Sequence, residues 1–239
     1  MKTDLILNVN EKDGWVDSDP LNRLEYELDE NESVSFLKIE RPSFKGVIEK
    51  TQLVMHGDFE VEKGRDLVLG AVLRTVLSVV FEERRMLFLH ASAVKRNGKL
   101  WVFFGPSGAG KSTIAAKLND GGVPFSSDRV VLELKEDGKI WAHSTPFSDH
   151  DRVITKQEPC MVDGFVRIHQ ATENSLVKMN TIKTIKSLFY ESLVLTKRQS
   201  VYDKLLEITG AVAKKGICFE MGFKKDTSFW ELLDNSLQD

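Results

Sequence analysis

Residues 86–113 read MLFLHASAVKRNGKLWVFFGPSGAGKST, and this stretch decides the fold. Met86–Val94 opens on an apolar run and is bounded by a turn signal, so it reads as a strand. Asn97-Gly98 is the strongest short hairpin signal, because a type I′ turn needs positive φ at both central positions. Lys99–Phe104 is the second arm. Directly after that arm, Gly105-Pro106-Ser107-Gly108-Ala109-Gly110-Lys111-Ser112-Thr113 fits the pattern G-x-x-x-x-G-K-[ST]. Glycines there let backbone N–H groups turn inward around phosphate oxygens, a lysine reaches the β/γ-phosphates, and a hydroxyl holds Mg²⁺. Thr113–Leu118 reads as a helix leading out, whose N-terminus favours an anion. Gly108-Ala109-Gly110 also resembles the start of a dinucleotide fingerprint, but Thr113 stands where the third glycine belongs.

Outward from this loop, hairpins recur. Arg129–Lys135 and Lys139–His143 flank a turn at Asp137-Gly138, and Phe165–Gln170 with Leu176–Met179 reads as a third pair around Thr172-Glu173-Asn174. In ordinary phosphate-loop enzymes the strand before the loop belongs to a parallel βαβ sheet. Here it is the second arm of an antiparallel hairpin. The fold class is therefore α/β, with a mixed, hairpin-rich sheet carrying one phosphate loop. Amphipathic helices are expected over Asp66–Arg84, Thr181–Thr196 and Ser200–Lys215, the last capped by Gly216. A strand over Ile217–Phe223 and a short helix over Phe229–Leu237 complete the chain. Residues 1–60 read as short strands at Leu5–Val9, Ser33–Glu40, Lys45–Ile48 and Gln52–Met55. Two regions result: a β-rich N-terminal extension, 1–63, and a core domain, 64–239.

The 239 residues carry a net charge of −3, which gives no global case for nucleic acid or an anionic membrane. The charge is uneven: residues 1–35 hold −7, leaving a body of +4 that suits a phosphate ligand. The acidic end reads as a solvated surface. Trp15, Trp101, Trp141 and Trp230 are not interleaved with basic residues, so they read as packing anchors rather than base-stacking platforms. Cys160 and Cys218 have no metal-ligand or disulfide spacing. No apolar run approaches the ~18 residues a membrane span needs. No signal peptide is evident after Met1, and a cytoplasmic location is the expectation.

Three segments in order carry a resemblance: Leu89-His90-Ala91-Ser92-Ala93-Val94, the loop itself, and Phe125-Ser126-Ser127-Asp128-Arg129-Val130. They resemble the HPr kinase/phosphorylase family and its relatives with the phosphoenolpyruvate carboxykinase-like nucleotide fold. The likeness extends to Ser144-Thr145-Pro146-Phe147 and to the ending Cys218–Phe223 with Ser228–Leu232, and covers about residues 64–239. It implies a nucleoside triphosphate ligand, ATP, with Mg²⁺, and phosphoryl transfer to a serine hydroxyl of a peptide or small protein. Small relatives of this kind are similar to the serine kinases of lasso-peptide maturation. The extra N-terminal domain of full-length HPr kinases has no counterpart here, so HPr is not the favoured acceptor. Carboxykinase metabolism is disfavoured, since no separate oxaloacetate-binding region is visible. HPr kinases are hexamers, but assembly surfaces do not carry over from motifs, so a homo-oligomer is left open.

Phosphoryl transfer needs positioning and charge neutralisation more than covalent chemistry. Lys111 is expected on the phosphates. Ser112 and Asp128 are expected to hold Mg²⁺. His90 matches a histidine found near the phosphates in the family, and Arg129 reads either as a further phosphate contact or as an exposed strand residue. HPr kinases carry two adjacent aspartates, the first read as the base that takes the hydroxyl proton. This chain has Ser127 there, and a serine at its normal pKa is no general base near neutral pH. Three alternatives stay open: Asp128 does both jobs, the base lies elsewhere, or the protein binds nucleotide without efficient transfer. His143, Asp149, His150 and Asp151 around Thr145-Pro146-Phe147 read as a polar rim, with a metal site as the minority reading. His56 and His169 read as structural, and Lys183, Lys186, Lys197 and Arg198 as a solvated helix face.

Overall fold

The computed structural model describes residues 4–12, 23–28, 34–41, 44–50, 54–62, 66–82, 84–116, 122–145, 158–194 and 198–236. The chain divides into two compact units, Met1–Glu83 with Leu195–Ser200, and Arg84–Val194 with Val201–Asp239.

The first unit is a five-stranded sheet and a helix: β1 (Asp4–Lys12), β2 (Arg23–Leu28), β3 (Val34–Arg41), β4 (Phe44–Lys50), β5 (Val54–Glu62) and α1 (Asp66–Glu82). Strand order is β1-β5-β4-β3-β2. The meander β2 to β5 is antiparallel, and β1 joins its edge parallel to β5. The period-2 pattern of β3, β4 and β5 puts Leu37, Ile39, Phe44, Ile48, Met55, Phe59 and Val61 on one apolar face. Val72 and Val76 of α1 share that core. The Phe59 ring occupies the space above Gly46, where a Cβ would stand 2.3 Å from it. Two sequence expectations change here. The division falls at Glu83 rather than after residue 63, because α1 completes the core of this unit. The acidic stretch also contains a strand outside those expected, β2, whose Arg23-Leu24-Glu25-Tyr26-Glu27-Leu28 alternates polar and apolar residues and pairs with β3.

The second unit contains β6 (Met86–Arg96), β7 (Lys99–Phe104), α2 (Lys111–Ala116), β8 (Val123–Ser126), β9 (Arg129–Leu134), β10 (Ile140–Ser144), β11 (Cys160–Met161), β12 (Gly164–Gln170), β13 (Ser175–Lys178), α3 (Thr181–Glu191), α4 (Gln199–Lys215), β14 (Cys218–Phe223) and α5 (Phe229–Ser236). Its nine strands run β11-β10-β9-β6-β7-β12-β14-β13, with β8 paired off that path to β6. The β6–β7 hairpin is as expected, with Asn97 at φ 50° and Gly98 at φ 76°. Yet β7 is antiparallel only to β6; on its other side it runs parallel to β12, which runs parallel to β14. The sheet is thus mixed at the strand that precedes the loop.

The expected β12–β13 hairpin does not form. β14 lies between the two, parallel to β12 and antiparallel to β13. The physical reason is burial: Cys218, Phe219, Met221 and Phe223 are all buried, so β14 needs a covered central place, whereas short β13 is mostly exposed and suits an edge. α3 also stops at Glu191, five residues short of the expected end. Ser192 leaves the helix to bridge Leu89, and Leu193 N–H donates to Phe88 O at 2.8 Å. Gly216 at φ 63° ends α4 as anticipated.

Helices cover both faces of the sheet. On one, Leu188 of α3 and Leu205, Ile208 and Val212 of α4 pack with Leu89, Leu100, Val102, Phe104 and Phe165. On the other, Ile114 of α2 and Phe229, Trp230 and Leu233 of α5 pack with Trp101, Phe103, Val166, Ile168, Met221 and Phe223. Each large side chain buried this way is worth about 1.5–3 kcal/mol. Phe103 meets Phe229 and Trp230 edge-on, at 6.2 and 5.8 Å between ring centroids. Among the described residues no helix is long and apolar enough to cross a membrane.

Candidate functional site

β7 ends in Phe104, wholly buried between the sheet's two helical layers, and the glycine loop turns off its C-terminal end. In open α/β sheets ligands bind outside the carboxyl ends of the parallel strands, which here are β7, β12 and β14. The loop needs glycine at two positions for more than turning. Gly105 has φ 140°, and a Cβ on it would stand 2.6 Å from the Ile168 carbonyl oxygen of β12. Gly110 has φ 112°, and a Cβ there would meet the Phe223 ring at 2.9 Å. The loop is thus seated against β12 and on an aromatic side chain that itself meets Phe229 edge-on at 5.4 Å. Gly108, φ 77°, faces open space.

Pro106, Ser107 and Gly108 are exposed, whereas Ala109 and Lys111 are buried. Ala109 N–H donates to Pro106 O at 3.1 Å. Lys111 curls back over the loop and donates from Nζ to Gly105 O at 2.7 Å and Pro106 O at 3.1 Å. Its ammonium is thereby fixed above the turn. Ser112 and Thr113, half-buried, sit in the first turn of α2, where a helix leaves N–H groups without intrahelical acceptors. Gln170, at the end of β12, donates from Nε2 to Gly108 O at 2.6 Å and ties the loop's exposed tip to the sheet.

Strand register brings the other expected residues to the same edge. Ala91 pairs with Phe104, which puts His90 level with the start of the loop. His90 pairs with Arg129, which puts Asp128 beside it. Asp128 is buried; its Oδ1 accepts from Arg129 Nη1 at 2.6 Å and lies 3.6 Å from His90 Nε2. The turn that carries it is clamped from both sides. Ala91 N–H donates to Asp128 O at 3.2 Å and Ser92 Oγ to Ser127 O at 2.5 Å. Ser126 and Thr145 hydroxyls both donate to Arg129 O, at 2.5 and 2.7 Å. The Ser127 Oγ is buried and has no hydrogen-bond partner among the described residues. Ser112 carries a hydroxyl and Asp128 a carboxylate, the oxygen donors Mg²⁺ takes, and Mg²⁺ needs only one or two of them from the protein, keeping waters and phosphates for the rest.

Three further residues lie at this edge without having stood out in the sequence: Arg167, Gln170 and Glu191. Arg167 pairs with Phe104 in register and is bridged to Glu220 of β14 at 2.8 Å, which also binds Lys183 of α3 at 2.5 Å. Burial pushes the Glu220 carboxyl up, but Lys183 and Arg167 together hold it below its usual range. The signal in the sequence is a charge inside each of two apolar strands, Phe165-Val166-Arg167-Ile168 and Phe219-Glu220-Met221; only their pairing makes it meaningful. Glu191 ends α3 half-buried. Burial pushes its carboxyl above the usual range, against the pull of Lys111 and Arg167.

The remaining expectations separate. His143 bonds Glu133 of β9 at 2.7 Å and forms no cluster with other candidate ligands among the described residues. Asp149, His150, Asp151, Pro146 and Phe147 lie outside the described residues, as do Trp15 and Lys197. Among the described residues no group of three or more His, Cys, Asp or Glu could hold a metal. Arg198 is not on a solvated face: it is buried, with Nη2 3.8 Å from Glu82 Oε2. Lys183 is paired with Glu220, while Lys186 is exposed. His56 and His169 are exposed. Trp101 and Trp230 are core residues, as expected. No protein-family model matches this chain, and no curated protein matches it either.

Proposed function

We propose that this chain is an ATP-dependent phosphotransferase of the HPr-kinase-like type, with a P-loop nucleotide-binding fold, that moves the γ-phosphoryl group to a serine hydroxyl on a peptide or small protein. The observation that carries the reading is the loop's setting. Three positive-φ glycines curl the backbone at the C-terminal end of β7, a buried lysine is pinned across the turn, and a buried carboxylate stands on the neighbouring strand turn. Lys111 would leave its two carbonyl acceptors for the β/γ-phosphate oxygens, an exchange of neutral for charge-assisted hydrogen bonds. Ser112 and Asp128 would hold Mg²⁺, which when bound supplies charge neutralisation on the phosphates. His90 and Arg129 flank Asp128 and would orient its carboxylate, and the Arg129 guanidinium would add positive charge near the transferred group.

Titration with Mg-ATP, then incubation with γ-labelled ATP and serine-containing peptides, tests this. Lys111→Ala is the control. Transfer no greater than that of Lys111→Ala sinks the proposal.

A second reading has its own observation. Ser127 stands in the first of the two acidic positions of the resembled family, and its hydroxyl is buried without a partner among the described residues, while Asp128 is already engaged by Arg129. A nucleotide-binding regulatory module with little transfer fits that arrangement. Ser127→Asp separates the two: it raises transfer in a weak module and leaves a competent kinase unchanged.

A further inference from the structure

We propose that Glu191, at the end of α3, is the general base that accepts the acceptor hydroxyl's proton. The proposal rests on the phosphotransfer reading and supplies what Ser127 lacks. α3 is cut short at Glu191 because Ser192 bridges Leu89 on β6, and the next residue of β6 is His90. The last side chain of α3 is thereby fixed at the sheet edge that carries the loop. There the charges of the loop's Lys111 and of Arg167 on β12 both act on its carboxyl. Arg167 is paired with Glu220 of β14, which Lys183 of α3 also binds, and His90 follows the bridged Leu89 on β6.

Among the described residues no hydrogen bond or ion pair engages the Glu191 carboxylate, although it is half-buried. The carboxylates of Glu220 and Asp128 are by contrast committed, Glu220 to Arg167 and Lys183 and Asp128 to Arg129. A carboxylate held without a partner, with a raised affinity for protons and cations within electrostatic reach, is the arrangement a base needs. In the step, the acceptor oxygen forms a bond to the γ-phosphorus and its proton passes to Glu191. The bond from that phosphorus to the β,γ-bridging oxygen breaks, and ADP leaves with the electron pair.

Water serves as the probe acceptor, so no acceptor need be known. The full chain, Glu191→Gln, Glu191→Asp and Lys111→Ala are compared for Mg-ATP binding and for release of γ-phosphate across pH 5–9. The expected result is that Glu191→Gln binds Mg-ATP as the parent does but turns over about 10²-fold or more slower, with the acid limb of the pH profile gone. Glu191→Asp keeps that limb with a smaller loss. Turnover of Glu191→Gln within about threefold of the parent, survival of its acid limb, or loss of Mg-ATP binding with turnover would each overturn the role. A parent chain that fails to bind Mg-ATP, or hydrolyses it no faster than Lys111→Ala, overturns the phosphotransfer reading itself.

Discussion

Asp128 is held by its immediate neighbour in the chain. Arg129 Nη1 donates both to the Asp128 carboxylate, at 2.6 Å, and to its backbone carbonyl, at 2.9 Å. One guanidinium thus fixes the side chain and the turn that presents it. Because the carboxylate is buried, truncation to Arg129→Ala leaves a poorly compensated charge, and a loss of about 1–3 kcal/mol in urea unfolding at neutral pH is expected. Arg129→Lys recovers only part of it, since a flexible lysine stem does not hold its ammonium where the planar guanidinium holds Nη1. An unchanged midpoint for Arg129→Ala would show that the pair does not hold the turn.

Glycine is required unequally along the loop. Gly105→Ala combines φ 140° with a Cβ 2.6 Å from the Ile168 carbonyl, so backbone must shift; about 1–3 kcal/mol of stability is lost, and the Mg-ATP binding proposed above is expected to go with it. Gly108→Ala meets nothing within 4 Å and bears only the left-handed backbone cost, about 1–2 kcal/mol or less. Thermal unfolding with and without Mg-ATP separates the two variants. Equal behaviour would contradict the close approach of Gly105 to β12.

Two glutamates of the second unit act oppositely on stability as pH changes. Glu220 titrates below its usual 4.5 in the folded chain, because Lys183 and Arg167 outweigh burial. Its contribution is present above pH 4.5 and lost as pH falls through the folded value. Glu191 titrates above 4.5 because of burial. Its contribution is greatest below 4.5 and lost as pH rises through the folded value. At pH 7, Glu220→Gln therefore lowers the melting temperature, and Glu191→Gln leaves it unchanged or raises it. Melting curves from pH 4 to 8 check both signs.

The two cysteines differ in reach. Burial pushes the Cys218 thiol up to about 12, and it packs against Met179 in the core. Cys160 is half-buried on the short strand β11. A thiol reagent at pH 8 should label Cys160 first and Cys218 only on unfolding. Equal rates in the folded chain would mean that the β14 core opens readily.

Much of this was legible in the sequence because it is local. The Asn97-Gly98 turn, the glycine loop, Lys111 and the Gly216 cap depend on φ preferences and spacing within a few residues. His90 and Asp128 could be singled out from their order around the loop. Arg167, Gln170 and Glu191 could not, because each matters only through a strand or helix far away in sequence. Glu191 looked like one more charge in an amphipathic helix expected to run on to Thr196.

Pairing and termination were the work of the tertiary structure. The strand pattern of residues 164–178 suits a hairpin, but the buried side chains of β14 need the central place more, and β13 moves to the edge. The periodicity of α3 continues past residue 191, but a backbone bridge to Leu89 wins over one more helical turn. By itself the sequence determined the elements and the loop, since short-range sterics and hydrophobic period act within a window. Which strands became neighbours, and therefore which charges meet at the loop, came from competition among whole elements for burial, which no local window contains.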